Sequence, residues 1–194
     1  EFDDEFHGQS GPLNVSKIRH QNTPTDDFVK TGSELFGFND DFNGAEQEGV
    51  GYYQTTQKDG KRCSAAKAYL VPALERENLT VMTDTNVNKI LFENKKAVGV
   101  ECIDKDGKVL RINSNTEVIL SSGAFGSPQI LLRSGIGPLG EIVKHDIEHI
   151  HELPGVGKNL QDHIDYLSVH KYNSIELIGC SLKSIFYKCP LEII

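Results

Sequence analysis

The chain has 194 residues, 38% of them hydrophobic and 25% charged, with a formal net charge of -8. This composition is typical of a globular protein that can bury a hydrophobic core. The acidic balance, without a run of five or more basic residues, argues against nucleic acid or an anionic membrane as the main partner. No apolar run could span a bilayer, and the four cysteines fit neither a zinc site nor a disulfide framework. We expect a cytoplasmic protein with reduced cysteines.

The first 60 residues are rich in Gly, Asn, Asp and Gln, which predicts mostly loop. One helix is predicted over residues 25–36, with Thr25 as its N-cap and Gly37 just after its end. A second helix is predicted over residues 62–76. Ser64 would cap it, and Pro72 would end it.

A β-rich block follows, in which short apolar runs alternate with turn residues. The pattern predicts five strands, over residues 79–83, 86–92, 97–103, 109–112 and 116–120. Asp-Gly at residues 106–107 indicates a hairpin turn. Strands joined by tight turns form an antiparallel meander, and a helix follows the last of them. The predicted fold class is therefore α/β, of the mixed α+β kind, with an antiparallel insertion.

Three further elements are predicted after the meander. A helix over residues 127–134 would have Ser127 as its cap and Pro128 in its first turn. A second helix is predicted over residues 139–144. A rigid turn over residues 153–157 and a strand over residues 163–171 complete the pattern.

Residues 135–140 match the G-x-G-x-x-G pattern of dinucleotide-binding loops, but their context is wrong. That pattern requires a strand before it and a helix after it. Here a helix is predicted before it, and Pro138 lacks the N–H group that a phosphate would need. We interpret Gly135 to Gly140 as the glycine turn that ends a helix. The cluster of His145, His149 and His151 lacks acidic or cysteine partners at ligand spacing, so no metal site is predicted.

Several ordered segments share one family pattern. They are His7-Gly-x-x-Gly-Pro-Leu13, Asp41-Phe-Asn-Gly44, Gln47-Glu-Gly-Val-Gly51, Arg62-x-Ser64, Ala68-Tyr-Leu70, Arg76-x-Asn-Leu-Thr80, Ala97-Val-Gly-Val100, the stretch from Gly123 to Gly137, and Leu153-Pro-Gly-Val-Gly-x-Asn-Leu-Gln-Asp-His163. Together they resemble the glucose-methanol-choline (GMC) oxidoreductases, in that family's order, and most closely its choline dehydrogenase-like branch. The resemblance extends to about residue 172.

The resemblance implies an FAD-dependent oxidoreductase that moves hydride from a primary, choline-like alcohol to the flavin, with a histidine as base. It also implies that this chain is a central fragment, without the family's pyrophosphate-binding start and without its catalytic histidine. Residues 1–60 would belong to a substrate-binding domain and residues 61–163 to an FAD-binding domain. Residues 164–194 would return to the substrate-binding domain. The apolar stretch 177–194 suggests self-association of such a fragment.

The resemblance also names candidate cofactor contacts. Val87 would contact the adenine of FAD through backbone groups, and Ser122 and Gly123 would lie along the cofactor. Asn159 and Asp162 would shape the flavin or substrate region, or else bond backbone groups after the turn. No catalytic residue is assigned within the chain. Two alternatives stay open: a non-catalytic module, and an FAD-fold lyase with the same core.

Overall fold

The computed structural model describes residues 4–19 and 22–166. These residues form two compact units, which meet in the sequence between Thr80 and Val81. Within the described ranges, no helix has both the length and the apolar character needed to cross a membrane. Of the strand predicted at 163–171, residues 163–166 have no regular secondary structure and the rest lie outside the described residues.

The first unit is built from one helix and short strand pairs. Strand β1 (Ser16–Lys17) pairs antiparallel with β2 (Gln54–Thr55), and helix α1 (Thr23–Phe36) lies between them in the sequence. Strands β3 (Gln57–Lys58) and β4 (Lys61–Arg62) form a hairpin.

Helix α1 begins two residues before the predicted start, so the prediction of Thr25 as N-cap is wrong. Asn22 is the N-cap: it has extended backbone, and its Oδ1 accepts a hydrogen bond from the Thr25 N–H at 3.0 Å. Pro24 fits the first turn, where its missing N–H costs nothing. The predicted end is confirmed, since Gly37 follows Phe36 with a φ of 81°.

The single helix predicted over residues 62–76 is wrong in its extent. Arg62 belongs to β4, and the chain then forms a π-helical turn (Ala66–Leu70) and a 3-10 turn (Val71–Ala73). Ser64 does accept a hydrogen bond from the Lys67 N–H, at 3.3 Å. Pro72 lies within the 3-10 turn, where its ring and missing N–H disfavour a continuing α-helix.

The second unit contains the predicted meander. Strands β5 (Asn86–Glu93), β6 (Lys96–Ile103) and β7 (Val109–Asn113) form one antiparallel sheet in that order. The turn between β6 and β7 is closed by a hydrogen bond from the Gly107 N–H to the Asp104 carbonyl, at 3.0 Å. Three of the five predicted strands are thus confirmed, and so is the mixed fold class.

The strands predicted at residues 79–83 and 116–120 are wrong. Both segments are irregular, and neither pairs with another strand of the described residues. An apolar alternation becomes a strand only where a neighbour can pair with its backbone groups.

The sheet is followed by two helices and a small parallel strand pair. Helix α2 spans Gly123–Arg133, β8 spans Ile136–Gly137, α3 spans Leu139–Lys144 and β9 spans His151–Glu152. The prediction for α3 is confirmed. Helix α2 starts four residues before the predicted start, and Ser122, not Ser127, is its N-cap.

The glycine pair at the end of α2 has a structural role. Gly135 has a φ of 80°, and its carbonyl accepts hydrogen bonds from the N–H groups of Ile150 and His151, at 2.9 and 3.2 Å. Strands β8 and β9 pair directly after it. The interpretation of this segment as a helix-ending glycine turn is confirmed.

Candidate cofactor site

A groove of about 810 Å³ lies in the second unit, between α2, the start of β5 and the end of β6. It is lined by Asp84, Thr85, Asn86, Val87, Ile103, Asp104, Ser122, Gly126, Gln129, Ile130 and Arg133. The volume falls in the range of about 300–1,000 Å³ that small-molecule and cofactor sites occupy.

The groove exists because α2 is fixed against the edge of the sheet. Ile130 of α2 and Ile90 of β5 are both buried. At the end of α2, the buried Ser134 hydroxyl accepts a hydrogen bond from the Ile90 N–H at 2.8 Å and donates one to the Ile130 carbonyl at 2.6 Å. One side chain thus satisfies an edge-strand donor and holds the helix beside it.

We expect the Ser134→Ala variant to lose about 1–3 kcal/mol of stability, since the buried Ile90 N–H would have no acceptor. The free energy of unfolding, from urea titration, measures this loss. Ser127→Ala is the control, because the Ser127 hydroxyl accepts its bond from an exposed donor, the Ser122 N–H at 3.0 Å. A loss for Ser134→Ala no larger than the control's would contradict the bridge.

The start of α2 forms one end of the groove. Ser122 lines the groove, and its own side chain makes no capping hydrogen bond. Gly123 follows with a φ of 79°, a left-handed backbone conformation that residues other than glycine rarely adopt. The N-terminal N–H groups and dipole of a helix favour an anionic group nearby, so this end of the groove suits a phosphate.

The structure brings together two of the five predicted contact residues. Val87 and Ser122 both line the groove, and Gly123 is the next residue after Ser122. Asn159 and Asp162 are exposed and are not among its lining residues. The Asp162 carboxylate accepts a hydrogen bond from the adjacent His163 N–H at 2.8 Å, and Asn159 has a φ of 54°.

Sequence reasoning missed the residues that α2 contributes. Gly126, Gln129 and Arg133 line the groove together with Ile130, at spacings that place them on one face of the helix. The helical spacing of these residues is present in the sequence, but it defines one helix face only if the helix begins at Gly123. The predicted start at Ser127 removed the first turn of that face.

The chemistry of the lining fits a nucleotide-like cofactor. Val87, Ile103 and Ile130 give the groove an apolar surface. Polar groups stand around them: the carboxyls of Asp84 and Asp104, and the side chains of Gln129 and Arg133. A flat base can lie against the first set while ribose hydroxyls and phosphates meet the second.

A separate cluster in the first unit joins Asp4, His7 and Asp41. The His7 Nδ1 lies 2.7 Å from Asp4 Oδ1, and its Nε2 lies 3.3 Å from Asp41 Oδ1. The hydrogen bond to Asp4, with the charges of Asp4 and Asp41, raises the pKa of His7 above its ordinary 6.5. The same hydrogen bond lowers the pKa of Asp4. The cluster acts as an ion-pair clamp between the N-terminal loop and the loop of Asp41.

The clamp predicts a pH-dependent contribution to stability. Because the folded pKa of His7 is raised, its contribution is complete below pH 6.5 and is lost as the pH rises through the folded value. Because the folded pKa of Asp4 is lowered from 3.8, its contribution is lost as the pH falls through that lower value.

We therefore expect His7→Gln to lower the unfolding midpoint more at about pH 5 than at about pH 9. Thermal denaturation at the two pH values measures this difference. His163→Gln, which removes an exposed histidine, is the control. An effect of His7→Gln that is equal at both pH values would contradict the clamp.

Comparisons with known proteins find relatives of this chain. The family model described as "GMC oxidoreductase" matches residues 1–165. An alcohol dehydrogenase [acceptor] of Pseudomonas putida is 45% identical over 182 residues, which cover 93% of this chain and 33% of that protein. A mitochondrial choline dehydrogenase of Mus musculus is 44% identical over 161 residues, covering 82% of this chain and 27% of that protein.

The fold has a counterpart among solved structures. An FAD-dependent oxidoreductase from Chaetomium thermophilum matches with a TM-score of 0.78 and 30% identity, over 83% of this chain and 28% of that one. The chain thus spans about a third or less of the length of these proteins. With the family pattern matched over most of its residues, the chain belongs to the GMC oxidoreductases.

Proposed function

We propose that the protein carrying this chain is an FAD-dependent alcohol oxidoreductase, and that the groove beside α2 holds part of the FAD. The observation that carries the proposal is the meeting of Val87 and Ser122, 35 positions apart in the sequence, in one groove of a GMC oxidoreductase chain. FAD, when bound, supplies an acceptor for a hydride from an alcohol carbon.

The residues of the groove bind and orient. Val87 and Ile130 offer an apolar surface for the adenine, and the start of α2 at Ser122 favours the negative charge of a phosphate. Gly123 carries no Cβ and has a φ of 79°, so the backbone at this position can pass close to a cofactor. We assign no residue of this chain to proton transfer.

We propose a primary alcohol of the choline type as the substrate. The support comes from relatives named as choline dehydrogenases and as an alcohol dehydrogenase, at 40–45% identity. The free thiols of Cys63 and Cys102, both buried, support a reducing, cytoplasmic location.

Spectroscopy of the natural-length protein tests the function. The purified protein should show flavin absorbance, and this absorbance should bleach when choline or another primary alcohol is added without oxygen, because the flavin then gains two electrons. A correctly folded protein without flavin would support a non-catalytic module and overturn the proposal. Flavin that stays oxidised while the substrate is cleaved would indicate the lyase alternative.

A further inference from the structure

A second cavity, of about 540 Å³, lies within the first unit and is surrounded by positive charge. It is lined by Pro12, Lys58, Asp59, Lys61, Arg62, Cys63, Lys67, Ala68 and Pro72. Cys63 and Ala68 are buried and form an apolar floor, whereas Lys58, Lys61, Arg62 and Lys67 are exposed around it. The cavity thus combines a small apolar floor with four cationic side chains.

The positive charge of this cavity is not neutralised by the described part of the chain. None of the four cationic side chains forms an ion pair or a side-chain hydrogen bond with another described residue. The carboxylate that lines the cavity, Asp59, lies 3.9 Å from the guanidinium of Arg19, which offsets its charge. The concentration of cations stands out in a chain whose net charge is -8.

Two of these cations are placed against each other by the hairpin. Lys58 and Lys61 are directly paired across β3 and β4. The turn between them consists of Asp59 and Gly60, with φ values of 53° and 74°, as in a tight two-residue hairpin turn. Like charges directly opposite each other destabilise a strand pair. An anion between the two ammonium groups would remove that repulsion.

We propose that this cavity binds a phosphate group of a small molecule or a lipid. Lysines contribute compact charges, and the Arg62 guanidinium can donate two parallel hydrogen bonds to phosphate oxygens. The apolar floor at Cys63 and Ala68 leaves room for the organic part of a phosphate ester. The site lies in the first unit, shares no residue with the groove beside α2, and is independent of the proposed function.

Pyrophosphate binding by the natural-length protein tests the site. Isothermal titration at constant ionic strength should give saturable binding to one site, and Lys61→Gln with Lys67→Gln should weaken it by at least about tenfold, because two charge-assisted contacts are lost. The control is Lys105→Gln with Lys108→Gln, two exposed lysines around the Asp-Gly turn of another hairpin. The control pair should keep the wild-type affinity within about twofold.

Thermal unfolding gives a second test, in which the substitution that weakens pyrophosphate binding should stabilise the protein without ligand. Lys61→Gln alone should raise the melting temperature of the protein without ligand, because it removes the repulsion from Lys58. The same variant should show a smaller increase in melting temperature on addition of pyrophosphate than the wild type. A lower melting temperature without ligand, or an unchanged response to pyrophosphate, would contradict the arrangement.

Vesicle flotation separates the two sources of phosphate. Phosphatidylcholine vesicles with added phosphatidic acid should retain the wild type and lose the Lys61 and Lys67 variant if the phosphate belongs to a lipid headgroup. Pyrophosphate binding without vesicle binding would assign the site to a soluble phosphate ester. If the Lys61/Lys67 pair and the Lys105/Lys108 pair lose the same affinity, the binding is diffuse counterion attraction and the proposal is overturned. Binding to neither pyrophosphate nor the vesicles would also overturn it.

Discussion

Replacing Gly135 by alanine should destabilise the second unit by about 2–6 kcal/mol. A left-handed conformation costs a non-glycine residue about 1–3 kcal/mol, and Gly135 has a φ of 80°. A Cβ built on it would lie 2.1 Å from the Glu148 carbonyl oxygen and 2.9 Å from Cγ1 of Ile150. Relieving that overlap adds an overpacking penalty of about 1–3 kcal/mol.

The overlap between the added Cβ and Glu148 lies next to the hydrogen bonds that hold the chain after α2 in place. Moving the backbone at Glu148 would break the hydrogen bonds from Ile150 and His151 to the Gly135 carbonyl, and with them the pairing of β8 with β9. Urea denaturation of Gly135→Ala should therefore show a much lower midpoint.

Gly140→Ala is the matched control for this prediction. Gly140 lies inside α3, and nothing stands within 4 Å of a Cβ built on it. Alanine there should stabilise the protein by up to about 1 kcal/mol, because it reduces the entropy of the unfolded chain. The two substitutions add the same methyl group and should move the midpoint in opposite directions. A Gly135→Ala midpoint near that of the wild type would contradict the role of this glycine.

Signals that act within a few residues made much of the fold predictable. Helix α3 and the Asp104–Gly107 turn follow from local propensity and turn chemistry. The dismissal of the glycine pattern at Gly135 depended on the helix predicted before it and on the missing N–H group of Pro138, both local features. The end of α1 at Gly37 was equally local.

The two errors at helix starts have a common physical origin, since two residues near each start can serve as the N-cap. Asn22 and Thr25 are both good N-caps, and so are Ser122 and Ser127; the chain uses the first of each pair. In the second case the Ser127 hydroxyl still serves the helix start, since it accepts the Ser122 N–H. Local sequence preference alone does not decide which of two nearby candidate residues serves as the N-cap.

The groove itself depends on contacts that no local pattern contains. Ser134 accepts the hydrogen bond of Ile90, 44 residues earlier in the chain. The choice of Val87 and Ser122 as cofactor contacts came from the family resemblance, and both line the groove. The α2 face with Gln129 and Arg133 was missed because it required the correct start of the helix.

Filling the groove should weaken FAD binding if the proposed site is correct. Gln129 lies on the groove-facing side of α2 and is exposed, so an indole at this position has room to enter the groove without disturbing the core. We expect Gln129→Trp to weaken FAD binding by at least about tenfold, because the indole would occupy space that the cofactor needs.

The flavin-to-protein ratio of the purified natural-length protein, from absorbance, measures the loss of FAD. The melting temperature of the Gln129→Trp variant without FAD should stay close to that of the wild-type apoprotein, since exposed substitutions usually change stability by less than about 0.5 kcal/mol. Lys144→Trp places the same indole on the exposed surface of α3, away from the groove, and should keep the full complement of flavin. Full flavin content in Gln129→Trp would exclude this groove as the FAD site, while equal losses in both variants would attribute the effect to the added indole.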